Sequence, residues 1–280
     1  MNIITVNVGQ GALAIVRHRK EAIIIDSRIP ACDDNTVAFV KEIFALSLKD
    51  HFVKGLVLTG FDSDHTDVTG ASIVLRKYRP DWVMYPKYFK DTKEARLVFK
   101  LIGDEEKTRR TSSSPLERKS VRVDQLSRRS LTGLSECFGF ELFSPHLEDM
   151  DSSNNCSIVL KLTGLGAGGF SYLITGDTES PRWSRIAEIF GAELKSHVLA
   201  APHHGSKGAV NPASLLHIQP HTVLISAGVG NQFGHPHPQA LKVYKQVAKY
   251  VFSTNTNGGV SLLTQPGKTE LETTIIPSAN

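Results

Sequence analysis

The chain has 280 residues, and about 46% of them are apolar when Gly is counted and Tyr left out, the value of an ordinary globular protein. With 21% charged residues and a net charge of +4, a mainly disordered chain is excluded and a core of real size is expected. No apolar run approaches about 18 residues, the N-terminus has neither a basic start nor a long apolar stretch, and Cys32, Cys137 and Cys156 leave an odd cysteine over, so we expect no membrane-spanning helix, no secretory signal and no disulfide framework, and a reducing cytoplasmic setting.

β-rich runs over 3–8, 12–16 and 22–25 open the chain, separated by Gly9-Gln10-Gly11 and by residues 17–21. Val37, Val40, Ile43, Phe44 and Leu48 then recur at helical spacing behind a cap at Asp33 or Asp34. A buried strand over 55–58 leads into a loop dense in carboxylates, then a helix over 68–78, a strand over 82–85 and a helix over 91–102. Strands follow over 139–143, 157–162 and 170–174, a helix over 181–190, and a strand over 197–200. Strands over 223–226 and 250–252 bracket a helix that starts after Pro238, and strands over 260–263 and 270–275 close the chain. Hairpins at both ends with helix–strand alternation between them predict two sheets with helices outside, an α/β sandwich, in a single domain over 1–280.

A local charge excess interrupts this pattern. Lys107, Arg109, Arg110, Arg118, Lys119, Arg122, Arg128 and Arg129 are opposed only by Glu117 and Asp124, so the stretch carries +6 and the rest of the chain −2. It reads as a basic insertion at about 105–130, for which two readings stand: a track for phosphate backbones, or a solvated loop around Thr111 to Pro115.

Five of the eleven histidines fall in three short loops, each just past a predicted strand. The loops are Thr59-Gly60-Phe61-Asp62-Ser63-Asp64-His65, Ala201-Pro202-His203-His204-Gly205-Ser206-Lys207, and Asn231-Gln232-Phe233-Gly234-His235-Pro236-His237-Pro238. Thr175-Gly176-Asp177 lies at a further strand end. A lone Asp or His in such a loop is more often a cap or a turn residue. Carboxylates and imidazoles gathered in four loops instead match a hydrolase that holds Zn(II) or Mn(II), one ion or two.

The order of these motifs resembles the metallo-β-lactamase superfamily, and within it the ComEC-type competence nuclease domain. Val6-Asn7-Val8-Gly9-Gln10-Gly11-Ala12 is similar to that group's opening Asp-Val-Gly-Gln-Gly-Asp-Ala, and Ile24-Ile25-Asp26-Ser27 to its Leu-Ile-Asp-Thr strand. Asp62-Ser63-Asp64-His65 matches its Asp-x-Asp-His core, and Asn154-Asn155-Cys156-Ser157-Ile158-Val159-Leu160 is similar to its Asn-Asn-x-Ser-Leu-Val-Leu strand. Thr175-Gly176-Asp177, His203-His204-Gly205-Ser206-Lys207 and Gly234-His235-Pro236-His237-Pro238 complete the series. The resemblance implies a four-layer αββα sandwich. It also implies two metal pockets: Asp62, with a contribution from the Asn155 to Ser157 region, in the first, and Asp64, His65, a bridging Asp177, and His203 or His204 in the second, with His203 placed first. One departure stands out, since Gly60 occupies the position where the family's first motif begins with a histidine.

His235 and His237, fixed by the prolines beside them, are candidates for phosphate contact or proton donation to a leaving oxygen, against the alternative of a loop that leads into the next helix. Ser206 and Lys207 could hold a phosphate or line a turn, and Arg109, Arg110, Arg118 and Lys119 are the basic-stretch candidates for a polymer backbone. Trp82, Tyr85, Tyr88 and Phe89 either stack on bases or pack a strand, with Trp82 assigned to the core. The leading expectation is a metal-dependent phosphodiester hydrolase acting on nucleic acid, DNA first, in which Asp64 orients the nucleophile. The alternatives are a hydrolase of a small anionic or ester substrate such as a cyclic nucleotide or lactone, and a degenerate member that binds nucleic acid or a partner without catalysis. No membrane partner is expected, and the sequence assigns no oligomeric state.

Overall fold

The computed structural model describes residues 1–88, 90–123, 129–149, 152–166, 170–264 and 271–278. Phe89, Asp124 and Arg128 of the sequence reading lie outside the described residues.

Ile23, Ile24 and Ile25 are consecutive and buried, which is possible only for a strand covered on both faces. Ile23 and Ile25 point into one core and Ile24 into another, as the two-residue period of a strand requires. This strand, β3 (Glu21–Ile25), follows β1 (Asn2–Thr5) and β2 (Ala14–His18) in an antiparallel meander. Helix α1 (Asp34–Leu48), capped by the Asp33 carboxylate on the Thr36 N–H, carries the chain to β4 (Phe52–Val57), parallel to β3. Helix α2 (Val68–Ser72) runs on to Tyr78 as a π-helical stretch. Strand β5 (Trp82–Pro86), helix α3 (Lys93–Arg109) and strand β6 (Glu117–Val121) continue the parallel run.

The chain then crosses to a second sheet. Strands β7 (Arg129–Leu131), β8 (Phe138–Ser144), β9 (Val159–Gly164) and β10 (Ser171–Ile174) pair antiparallel. Helices α4 (Ser180–Phe190), α5 (Pro212–Ile218) and α6 (Pro238–Val247) alternate with the parallel strands β11 (Val198–Ala200), β12 (Thr222–Ile225) and β13 (Tyr250–Ser253). A last turn, α7 (Thr254–Asn257), returns the chain to the first sheet for β14 (Gly259–Thr264) and β15 (Leu271–Ile276). The orders are β15-β14-β1-β2-β3-β4-β5-β6 and β13-β12-β11-β10-β9-β8-β7.

Three apolar layers separate four structural ones. Ile25, Val57 and Met84 meet Leu142, Leu160 and Leu224 between the sheets. Phe44, Val74 and Val98 cover Ile24, Leu56 and Val83 on one outer face, and Trp183, Leu215 and Tyr244 cover Leu173, Leu199 and Val223 on the other. The result is an αββα sandwich, as the sequence leads one to expect.

The basic stretch departs from that expectation. Helix α3 runs past Ile102 to Arg109 because Ala95, Val98, Ile102, Glu105 and Arg109 keep one buried face while the charged residues between them face water. Strand β6, which lacks an apolar signal, follows as the edge of the first sheet. These residues are part of the sandwich, and Trp82 is core, its Nε1 donating to Leu134 O at 2.8 Å.

Candidate metal centre

The metal loops extend from the C-terminal ends of strands in both sheets. The loop after β4 carries Asp62, Asp64 and His65, the loop after β10 carries Asp177, and the loop after β11 carries His203 and His204. The Ile158 N–H donates to Thr59 O at 2.9 Å and ties the two sheets together at this point. The glycine turn near the N-terminus acts as a buttress. The Ala12 N–H donates to Asp64 O at 2.8 Å, and a Cβ on Gly11 would stand 2.6 Å from that same oxygen. Gly176, at φ +51°, packs so closely on Ser157 that a Cβ would sit 2.7 Å from the serine Cβ. The Ser157 Oγ in turn accepts from the Asp177 N–H at 2.9 Å.

One ligand atom each from Asp64, His65, Asp177 and His204 lie within 4.8 Å of one another. His65 Nε2 is 2.8 Å from Asp177 Oδ1, and His204 Nε2 is 3.3 Å from Asp64 Oδ2 and 3.6 Å from Asp177 Oδ1. Both rings are fixed from behind. His65 Nδ1 lies 2.8 Å from Asp26 Oδ2, and His204 Nδ1 donates to Ser226 O at 2.8 Å, so each Nε2 faces the cluster. His204 Nε2 is buried and makes no well-directed hydrogen bond. Two carboxylates and two imidazoles in so small a volume fit a divalent cation.

The charges reinforce one another. Burial alone would lower His65, but the Asp177 and Asp26 carboxylates outweigh it and raise the imidazole well above its ordinary value. Burial alone would raise Asp177, and the imidazoles of His65 and His204 instead hold its carboxyl far below the usual range. Burial would also raise Asp64, yet His204 and His65 bring it below its ordinary value.

The structure brings His204, rather than His203, into the four-residue set. His203 stands one step out, with Nε2 4.0 Å from Asp177 Oδ2 and Nδ1 3.9 Å from Glu179 Oε1. Both histidines adopt left-handed backbone angles, φ +48° and +53°, a strained conformation for two successive non-glycine residues. Asp62 is half-buried outside the set, its carboxyl raised first by burial and then by the charge of Asp177. Gly60 has no positive φ, and a Cβ there would meet nothing within 4 Å.

His235 is buried beside His203 and His204, with ring centroids 5.5 and 6.3 Å away, and burial with the neighbouring imidazoles pushes it down to about 4. His237 is half-buried and accepts the Lys207 N–H on Nδ1 at 3.1 Å. Ser206 is buried, and its Oγ accepts from the Gly208 N–H at 3.3 Å within its own turn, while Lys207 is exposed.

The basic-stretch candidates are placed differently from the sequence reading. Arg109 is 1% exposed, and its guanidinium donates to Ser114 O at 2.8 Å and Pro80 O at 2.9 Å. Those bonds tie the end of α3 to the start of β5, the end of the sheet away from the metal loops, and leave Arg109 no face for a phosphate. Arg110 caps α3 at that same end. Arg118 pairs with Glu106 at 2.8 Å and lies over the Phe99 ring, and Lys119 pairs with Glu117.

Asp26 has a role that sequence reasoning did not assign. Its carboxylate accepts from the Thr59 N–H at 2.7 Å and holds the His65 ring, in a left-handed backbone at φ +57°. A charged residue directly after the three buried isoleucines of β3 was the available signal. Asn155 belongs to the same support, since its Oδ1 accepts from the Glu179 N–H at 3.1 Å.

No protein-family model matches the chain. Over 205 residues, 73% of its length, it is 29% identical to ComE operon protein 3 of Bacillus subtilis (strain 168). Over 97 residues, 35% of its length, it is 31% identical to competence protein ComA of Neisseria gonorrhoeae. These segments cover 24% and 14% of the two relatives, so the chain spans under a quarter of either. Among solved structures it is similar to Igni18, described as a novel metallo hydrolase from Ignicoccus hospitalis, at TM-score 0.54 and 15% identity over 95% of this chain and 100% of that one. A variant of the CmlA β-hydroxylase gives TM-score 0.50 and 15% identity over 94% of this chain and 54% of that one. The relatives, the ordered motifs and the fold agree, and together they make the chain similar to a metallo-β-lactamase-type domain of the ComEC kind.

Proposed function

We propose that the chain is a metal-dependent hydrolase of phosphodiesters, with nucleic acid, DNA first, as its substrate. The observation that carries this reading is the convergence of Asp64, His65, Asp177 and His204, with both imidazole Nε2 atoms facing the cluster. A divalent cation held there, Mn(II) or Zn(II), supplies positive charge that acidifies a water and neutralises the oxygens of a phosphoryl group. Asp177, with Oδ1 2.8 Å from His65 Nε2 and 3.6 Å from His204 Nε2, would be the shared ligand if a second ion bound beside Asp62. Asp64 would ligate the cation and orient the attacking water. His237, whose Nδ1 is occupied by the Lys207 N–H, carries its own hydrogen on Nε2 and donates toward the leaving oxygen.

Nucleic acid is favoured over a small ester because the relatives are competence proteins, and the exposed Lys207 beside His237 suits an anionic substrate. Three free cysteines suit a reducing cytoplasm, and among the described residues no helix is long and apolar enough to cross a membrane.

The test is hydrolysis by chelator-treated protein resupplied with Mn(II), Zn(II) or Mg(II). Single-stranded DNA, duplex DNA, RNA, a cyclic nucleotide and a lactone are offered in parallel. Metal-restored cleavage of DNA supports the reading, and turnover of the lactone alone would replace it.

A further inference from the structure

Three rings lead from the metal cluster to solvent. His204 belongs to the cluster. His235 lies beside it, the two planes 25° apart with centroids 6.3 Å from each other, and Phe233 lies beside His235, again at 25°, with centroids 5.7 Å apart. Exposure rises along the series, from 4% at His204 and 7% at His235 to 50% at Phe233. Both distances and angles fall in the range of offset aromatic stacking.

The outer ring is held in place. Asn231 fastens both ends of its own loop: its Nδ2 donates to Gly228 O and to His235 O, and its Oδ1 accepts from the His235 N–H at 3.0 Å. The loop is also fixed to its surroundings. The Gly228 N–H donates to Gln10 Oε1 at 3.2 Å on the glycine turn that buttresses Asp64, and the Ala227 N–H donates to Thr254 Oγ1 at 2.8 Å. A phenylalanine half in water gains little from burial. A loop stapled at both ends, which keeps that ring parallel to a buried active-site imidazole, spends its order on presenting an aromatic face beside the cluster.

We propose that Phe233 is a specificity-determining residue whose exposed face stacks on a nucleobase flanking the scissile phosphodiester. The proposal rests on the phosphodiesterase reading above and narrows it to substrates with an unstacked base, namely single strands, ends or short oligonucleotides. Every base has a π-face, so the contact selects for a base next to the cleaved bond without selecting a sequence. Duplex DNA, whose bases are already stacked, gains nothing from it.

The experiment uses three dinucleotides with one internal phosphodiester each: both bases present, the 5′ base removed, and the 3′ base removed. The wild-type protein, Phe233→Ala, Phe233→Leu and Phe233→Trp are assayed in the metal that supports cleavage. Phe233→Ala should raise KM for the intact dinucleotide by about tenfold, with kcat changed far less, and Phe233→Trp should restore the wild-type value. The penalty should shrink at least fivefold on one of the two abasic dinucleotides, which identifies the base that Phe233 covers.

A penalty equal within twofold on all three substrates overturns the proposal and leaves the phosphodiesterase reading standing. Full rescue by Phe233→Leu also overturns it, because an apolar contact without stacking, such as a docked protein segment, would then account for the loss. If the wild-type protein cleaves none of the dinucleotides and no longer oligonucleotide, the phosphodiesterase reading fails and this proposal fails with it. Since Phe233 is half-exposed in a loop, the thermal midpoints of the variants should stay close to wild type, which separates a binding effect from misfolding.

Discussion

Asp26 holds the ring of His65 from behind, Oδ2 to Nδ1 at 2.8 Å, while the opposite ring nitrogen lies 2.8 Å from Asp177. A carboxylate on the outer nitrogen fixes the tautomer and the direction of the inner one. Asp26→Asn keeps the size and the left-handed backbone, which asparagine tolerates, but removes the charge. It should weaken metal binding by about 10–100-fold without unfolding the protein. Equilibrium dialysis with metal analysis measures this, and an unchanged affinity would show that His65 needs no such support.

Asp177→Ala removes a carboxylate that lies 2.8 Å from His65 Nε2 and 3.6 Å from His204 Nε2. Hydrolysis should fall by several orders of magnitude along with the metal content, because both the cation and the charge it supplies are lost. Asp62→Ala, outside the four-residue set, should cost less on both counts. Full metal content and full turnover in the Asp177 variant would place the active site elsewhere.

Gly60→His should raise metal stoichiometry or affinity. The backbone there is not left-handed and a side chain would enter open space, so the substitution carries no strain from φ. Calorimetric titration of metal into the folded variant tests it. A curve identical to wild type would mean that the added imidazole does not reach Asp62.

The metal-free protein should show a stability that depends on pH in two directions. His65 is raised above its ordinary value in the folded state, so its contribution is complete below about pH 6.5 and is lost as pH rises through the folded value. Asp177 is lowered, so its contribution is present above the ordinary carboxylate value of about 3.8–3.9 and is lost on acidification toward the folded value. His235, lowered to about 4, adds a contribution that is lost as pH falls below about 6.5. Thermal melts of chelator-treated protein should therefore peak near neutral pH and decline on both sides. Metal should bind more tightly as pH rises, since it competes with the proton on His65 Nε2. A metal-free melting temperature that climbs steadily from pH 6 to pH 9 would contradict the charge assignment.

Arg109→Ala should destabilise the fold by about 2–3 kcal/mol, because a buried guanidinium and its bonds to Ser114 and Pro80 are lost together. Neutralising Arg110, Arg118 and Lys119 together should leave the KM for long DNA within twofold at physiological salt. Denaturant melts and a salt series separate the two effects. A steep flattening of the salt dependence in the triple variant would restore these residues as a phosphate track.

The parts of the molecule that were legible in the sequence are those governed by local pattern. The isoleucine run of β3, the 3–4 spacing of α1 and the Pro238 start of α6 each carry their own periodicity, and each forms as that pattern implies. The acidic and histidine loops were legible because ligand-type residues cluster past strand ends. What local pattern does not encode is three-dimensional choice. Whether His203 or His204 enters the cluster depends on two left-handed residues and on the Ser226 carbonyl, which is distant in sequence. Strand β6 is polar because it is an edge strand paired only with β5, so its sequence reads as a charged loop. Arg109 looked like a surface cation because nothing in the chain around it reveals that Pro80 and Ser114 close over it.

The most direct test of the central claim is a single titration. Metal-free protein receives Mn(II) or Zn(II) in steps, and bound metal and hydrolysis of a single-stranded oligonucleotide are measured in the same samples, with Asp177→Ala alongside. Hydrolysis should rise with occupancy in the wild-type protein and stay at background in the variant. Cleavage at zero occupancy, or a filled site that hydrolyses no phosphodiester, would contradict the account.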